Sequence, residues 1–262
     1  MTDPPILEVR RASKTFGGVV ALGGISFQVE QGEILGIIGP NGSGKTTLVN
    51  CITGFVRLDE GEVLFRGEDI SRKPPHRIAD MGITRTFQIM RPYYSLPAFR
   101  NLVIPLFSPR ARRTGGWRGG GLLGDRKTVS IDILEEIGFE RDSQVPYKMA
   151  STLPTGYLKR LELARCLALR PEIIICDEVF SGLSMSEIAS MVPLMERLQM
   201  EGITLIMIEH RLRELFRLAG RIMVLNFGAK LMEGSPAEVM ASEKVKEAYF
   251  GSEEVEEVMT YA

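Results

Sequence analysis

The residues Gly39-Pro40-Asn41-Gly42-Ser43-Gly44-Lys45-Thr46 fit the spacing G-x-x-x-x-G-K-[ST]. Backbone N–H groups of such a loop point inward, and its glycines let the chain curl around a phosphate without Cβ clashes. A helix beginning near Lys45 adds the positive end of its dipole. The Lys45 ammonium would neutralise β- and γ-phosphates, and the Thr46 hydroxyl would ligate Mg²⁺. A chain this long matches the pattern by chance about once in a hundred trials, and requiring a strand before it and a helix after it lowers that figure. A second group lies at Ile173-Ile174-Ile175-Cys176-Asp177-Glu178, a buried-strand pattern closed by two acids. Enzymes with such a loop need a carboxylate on a neighbouring strand end to hold Mg²⁺, which suits Asp177. Glu178 would then orient or deprotonate an attacking water. Alone, the acid pair reads equally well as a charged strand end; the upstream loop favours the chemical reading.

Both groups need strand ends to carry them. Ile6 to Val9 and Ile25 to Val29 alternate in polarity, with the turn formers Gly17-Gly18 and Gly23-Gly24 between them. Glu33 to Ile38 is a mostly apolar strand that runs into the glycine loop, and Thr46 to Gly54 reads as the helix after it. Glu62 to Phe65 reads as a further hairpin strand. From Gln88 to Leu153 prolines are frequent, and the basic, glycine-rich run Arg110 to Gly124 reads as a mobile loop or insertion. Trp117 within that run leaves two readings open, a contact with a partner or lipid headgroup, or an exposed residue of a disordered stretch. Val129, Ile133 and Ile137 form one helical face over Thr128 to Gly138, and Leu161, Ala164 and Ala168 form another from Leu158 onward. Strand and helix then alternate through Ile173–Cys176, Glu187–Met200, Ile203–Ile208, Leu212–Ala219 and Ile222–Leu225. That alternation predicts a mostly parallel sheet with flanking helices.

A chain of 262 residues suits one large domain or two small ones, and its 44% apolar and 25% charged content is ordinary for a globular protein. A formal net charge of −1 gives no bulk electrostatic case for nucleic acid or an anionic membrane. No secretory signal and no membrane-spanning apolar run are visible. Cys51, Cys166 and Cys176 are far apart in apolar contexts and read as buried thiols of a reducing compartment. His76, beside Pro74 and Pro75, reads as a surface residue.

With these motifs in place the chain resembles the ATP-binding subunits of ABC transporters over nearly its whole length. The resemblance implies an α/β P-loop NTPase core, a mostly parallel sheet plus an N-terminal antiparallel β-subdomain, with an inserted helical subdomain. It assigns residues 1–88 and 161–262 to the ATP-binding core and 89–160, including the loop 110–124, to the helical subdomain. It places Phe16 on adenine, Gly39, Pro40, Asn41, Gly42, Ser43, Gly44, Lys45, Thr46 and Thr47 around the triphosphate, and Thr46, Gln88 and Asp177 around Mg²⁺. Glu178 activates water, while Lys45, Gln88 and His210 act on the γ-phosphate. The family's Leu-Ser-Gly-Gly-Gln signature stands here as Leu153-Pro154-Thr155-Gly156-Tyr157, which would complete the site of a facing subunit. Pro154 removes the serine hydroxyl and a backbone N–H, so one phosphate contact is lost. Val179 and Ser184 replace the family's proline and Asp or Asn, which bears on communication across the dimer.

Finer similarity, in Phe16 to Leu22, Thr53-Gly54-Phe55, Gly82 to Gln88, Gly234 to Val239 and Glu247 to Phe250, points to the branched-chain amino-acid uptake subfamily. That implies an ATP hydrolase using ATP and Mg²⁺, paired with a second ATPase subunit and permease subunits, and indirectly with an external substrate-binding protein. Its expected place is cytoplasmic, peripheral on the cytosolic face of the membrane, without nucleic acid. Two alternatives stand beside it, a soluble ABC ATPase acting on nucleic acid or the ribosome, and a catalytically weak regulatory subunit. A P-loop kinase has only the glycine loop in its favour.

Overall fold

The strand expected before the glycine loop forms because Ile34–Ile38 is five apolar or small residues, all buried, with no room for a polar face. The structure, a computed structural model, describes residues 4–113 and 125–248. In chain order it holds β1 (Leu7–Phe16), β2 (Val19–Val29), β3 (Ile34–Ile38), α1 (Lys45–Ile52), β4 (Glu60–Phe65), β5 (Glu68–Asp69) and α2 (Pro75–Met81). There follow β6 (Ile83–Arg85), α3 (Ala98–Val103), α4 (Pro109–Arg113), α5 (Arg126–Glu136), α6 (Thr155–Ala168), β7 (Ile173–Asp177) and α7 (Met185–Met200). The chain continues through β8 (Thr204–Ile208), α8 (Leu212–Leu218), β9 (Arg221–Asn226), β10 (Ala229–Gly234), α9 (Pro236–Ala241) and α10 (Glu243–Ala248). The contacts divide it into two compact units, one with the residues up to Ile78 and from Met195, the other Ala79–Leu194.

In the first unit β1 pairs antiparallel with β2 and with β4, and β4 with β5. The second set of strands is different: β3 lies parallel to both β8 and β9, and β10 closes antiparallel on β9. Parallel strands need both faces covered, and β3 and β8 are accordingly buried at every position. Helix α1 turns Leu48, Val49, Cys51 and Ile52 inward, so the element that starts at the glycine loop is fixed by its own apolar face. The pair Gly23-Gly24 does not form a turn as expected: β2 runs through it from Val19. Its Gly23 N–H donates to the Gly228 carbonyl at 2.8 Å, a close backbone approach that local turn propensity cannot foresee.

In the second unit β6 and β7 pair in parallel, Arg85 beside Ile175. Helices α3, α5 and α6 pack on one another, with Leu102, Ile133, Leu134, Leu161 and Ala164 fully buried. Asp125 caps α5 by accepting from the Lys127 N–H at 3.0 Å, which sets its start ahead of Thr128. Asn101 is buried completely, yet its amide is satisfied: it accepts from Tyr93 N–H at 2.6 Å and donates to the Pro97 carbonyl at 3.0 Å.

The expected mobile run beginning at Arg110 is corrected at its start. Residues Pro109–Arg113 are helical, and Arg110 donates to Glu172 Oε1 at 2.8 Å and to the carbonyls of Arg170 and Met81 at 2.6 Å each. Its partners lie far along the chain, so composition alone read it as loop. Trp117 and the rest of the glycine-rich run, like Tyr249 and Phe250, lie outside the described residues. Replacing Arg110 by Ala leaves Glu172 and two carbonyls without this donor. The unfolding free energy is expected to fall by about 2 to 3 kcal/mol, read from the urea midpoint; an unmoved midpoint would show the guanidinium to be dispensable.

Candidate nucleotide site

Two polar clusters sit at the C-terminal ends of the parallel strands, one in each unit. In the first unit β3 opens directly into the glycine loop. A Cβ on Gly39 would collide with the Leu225 carbonyl and lie 2.6 Å from Ser43 Oγ, so the backbone passes where only glycine fits. Gly44 stands in the left-handed region, φ 104°, immediately before α1, where a Cβ would meet the Ala21 carbonyl at 2.5 Å. The cradle is closed by Ser43 N–H donating to the Pro40 carbonyl at 3.1 Å and Gly228 N–H to the Ser43 carbonyl at 3.1 Å. Lys45 is 7% exposed, and its Nζ reaches back to the Gly39 and Pro40 carbonyls at 2.6 and 3.0 Å. Ser43 Oγ is buried there with no hydrogen-bond partner. A buried hydroxyl without a partner costs free energy unless a ligand supplies one. The Thr46 hydroxyl group belongs to an exposed residue in the first turn of α1, while Thr47 is half-buried.

His210 lies at the same edge. Ile37 of β3 pairs with Ile208 of β8 in parallel register, so Gly39 and His210, each two residues further on, leave the sheet together. Phe16, at the end of β1, keeps 48% of its surface exposed, with Lys14 Nζ 5.2 Å from the ring centroid. An exposed ring in a short hairpin is available for stacking, as an adenine platform must be.

In the second unit, β6 and β7 end together and bring Arg85, Thr86, Gln88, Asp177 and Glu178 close. Gln88 Nε2 donates to Glu178 Oε2 at 2.9 Å. Glu178 itself has φ 53°, a left-handed backbone that a non-glycine residue adopts only when its surroundings enforce it. The Glu178 carbonyl accepts from Lys159 Nζ at 2.8 Å and from the Ser181 N–H at 3.2 Å. Asp177 is 3% exposed; its N–H donates to Thr86 Oγ1 at 3.1 Å, and its Oδ2 accepts from Arg85 Nη2 at 2.6 Å. Arg85, Thr86 and Lys159 were not singled out from the sequence. A three-residue strand has no periodicity to announce Arg85, and Lys159, beside Arg160 and off the face of Leu161, Ala164 and Ala168, reads from the sequence as a solvated cation.

The signature segment starts α6. Leu153 is buried, Pro154 is the cap residue with no side-chain capping bond, and Thr155 and Gly156 begin the helix. A Cβ on Gly156 would meet the Glu187 carboxylate, which packs against this glycine. Ser184 N–H and hydroxyl both donate to Glu187 Oε2 at 2.8 Å, and these bonds hold its carboxyl below the usual glutamate range. Ser184 is thus engaged in starting α7, a local use that its place in the sequence did not disclose. Cys51, Cys166 and Cys176 are buried and form no disulfide; burial pushes the Cys51 thiol up to about 11 and the Cys166 thiol to about 12, so neither of these two is a nucleophile at neutral pH. Among the described residues no group of three or more His, Cys, Asp or Glu could hold a metal ion by itself. Thr46, Gln88 and Asp177 each carry a hard oxygen donor of the kind Mg²⁺ takes.

Comparison with known proteins agrees with this reading of the fold. A family model described as "ABC transporter" matches residues 22–181, and one described as "Branched-chain amino acid ATP-binding cassette transporter" matches 229–255. The high-affinity branched-chain amino acid transport ATP-binding protein BraF of Pseudomonas aeruginosa is 34% identical, over 94% of this chain and 98% of that protein. The corresponding protein LivG of Escherichia coli is 33% identical, over 94% and 98%. The crystal structure of the ADP conformation of MJ1267, an ATP-binding cassette of an ABC transporter, superposes with a TM-score of 0.82 at 32% identity, covering 95% of this chain and all of that one.

Proposed function

Since the chain belongs to the ABC transporter family of ATP-binding subunits, we propose that it powers import of branched-chain or other hydrophobic amino acids through a membrane permease. The observation that carries the nucleotide reading is the glycine cradle around Lys45, with the buried Ser43 hydroxyl in it. Phe16 stacks on adenine, Gly39 to Thr47 wrap the triphosphate, and Lys45 shifts from loop carbonyls to the β- and γ-phosphates. Thr46, Gln88 and Asp177 are the residues that would hold Mg²⁺, which when bound polarises the phosphates and neutralises developing charge. Glu178 takes the proton of the attacking water, Gln88 orients that carboxylate, and His210 steadies the γ-phosphate. Leu153, Pro154, Thr155 and Gly156 complete the site on a second ATP-binding subunit.

Binding and loss of the γ-phosphate then move the helical subdomain, residues 89–160, against the core of 1–88 and 161–262. Gln88, Arg91 and Tyr93 lie where the permease docks. Ile89 and Tyr93 support this by being 74% and 43% exposed beside Gln88, an apolar offer to a partner. No helix among the described residues is long and apolar enough to cross a membrane. In this reading the subunit sits on the cytosolic face by docking to those permeases, and the external binding protein acts through them. One observation favours a second reading, a regulatory subunit of low turnover: Pro154 offers no N–H at the signature, and the Glu187 carboxylate stands against Gly156. Reconstitution with its permease pair and binding protein in vesicles decides between them. Substrate-loaded binding protein is expected to raise phosphate release and drive amino-acid uptake; a complex that transports with this chain's hydrolysis silent supports the regulatory reading, and co-purification with ribosomes or nucleic acid overturns both.

A further inference from the structure

Arg85 closes β6 and Asp177 closes β7, and their side chains are only 7% and 4% exposed where Nη2 meets Oδ2 at 2.6 Å. A carboxylate buried to this degree is costly to keep ionised without a counter-charge. The pairing is built from several directions. The parallel register sets Arg85 beside Ile175, two residues before Asp177. The Thr86 N–H donates to the Ile175 carbonyl at 3.0 Å, and Thr86 Oγ1 accepts from the Asp177 N–H at 3.1 Å. The Phe87 ring lies 5.2 Å from the guanidinium carbon and covers it.

We propose that Arg85 is a resident counter-ion of the metal-binding aspartate: it aims the Asp177 carboxylate by holding Oδ2, leaves Oδ1 for the metal, and weakens the hold on Mg²⁺. The inference rests on the reading that Asp177 serves the metal of a bound nucleotide. Arg85 compensates the buried Asp177 carboxylate when nucleotide and metal are gone. With the metal present, Asp177 offers a carboxylate already shared with a fixed positive charge, and a second cation binds to it less tightly than to a bare one. A planar fork suits this use, because one N–H grips one oxygen without rotating the carboxylate out of line. Arg85 is in this sense a positioning residue, acting through Asp177.

The test is a Mg²⁺ titration of fluorescent ATP-analogue binding to the full chain, with EDTA controls. Arg85→Met is expected to lower the Mg²⁺ midpoint about tenfold, the scale of one nearby charge removed from an ion site, with affinity in EDTA unchanged. Arg85→Lys, which keeps the charge and loses the fork, is expected to shift the midpoint by only about threefold, and decides the matter alone should the methionine variant fail to fold. Unmoved midpoints in the folded variants overturn the proposal, as does loss of affinity in EDTA, which would make Arg85 a phosphate ligand. A wild-type chain that binds nucleotide with no Mg²⁺ dependence sinks the underlying assignment of Asp177, a result distinct from the other two.

Discussion

Glu178→Gln is expected to bind ATP as the wild type does and to lose steady-state hydrolysis by about 10²- to 10⁴-fold, the range for removing a positioned general base. The geometry makes this a clean substitution. Glu178 is held by its own backbone, through the Lys159 bond to its carbonyl at 2.8 Å, and a glutamine has the same length. Its amide oxygen can still accept from Gln88 Nε2, which reaches Oε2 at 2.9 Å in the native chain. What is lost is the capacity to take a proton. Phosphate release measured beside equilibrium nucleotide binding separates the two effects, and turnover near the wild-type rate would remove Glu178 from the role of base.

Lys45→Ala is expected to weaken ATP binding by about 10- to 150-fold, the equivalent of one charge-assisted hydrogen bond of about 1.5–3 kcal/mol. Lys45 is buried to 7% exposure and its Nζ is carried by the Gly39 and Pro40 carbonyls, so the ammonium waits inside the loop and does not have to be ordered on binding. Alanine removes that charge but keeps the helix start, because Gly44 and the Leu48 N–H bond to its carbonyl at 2.8 Å set α1. Calorimetric titration checks the prediction. Affinity equal to that of the wild type would leave the cradle as a structural turn, and the transport reading would lose its first support.

Much of the site is legible in the sequence itself. Spacing alone located the glycine loop, because a phosphate cradle needs glycine where a Cβ would strike carbonyls, and Gly39 and Gly44 meet that requirement in the structure. Continuous apolar runs marked β3, β7 and β8 for the same local reason, that a strand covered on both faces carries no polar alternation. Short or locally ambiguous elements were not legible: three-residue β6, α3 and the start of α4 have too few residues for a period.

The tertiary structure alone decided which charges meet. Arg85 and Asp177 are 92 residues apart, Gln88 and Glu178 are 90, and Arg110 finds Glu172 across 62. A lone arginine or glutamine has no period, and a sequence pattern cannot state its partner. The residue types and the order of the motifs set what chemistry is available; the parallel pairing of β3 with β8 in one unit, and of β6 with β7 in the other, sets which side chains emerge together within each. Pairing is fixed by burial shared among distant segments, a property of the folded chain as a whole.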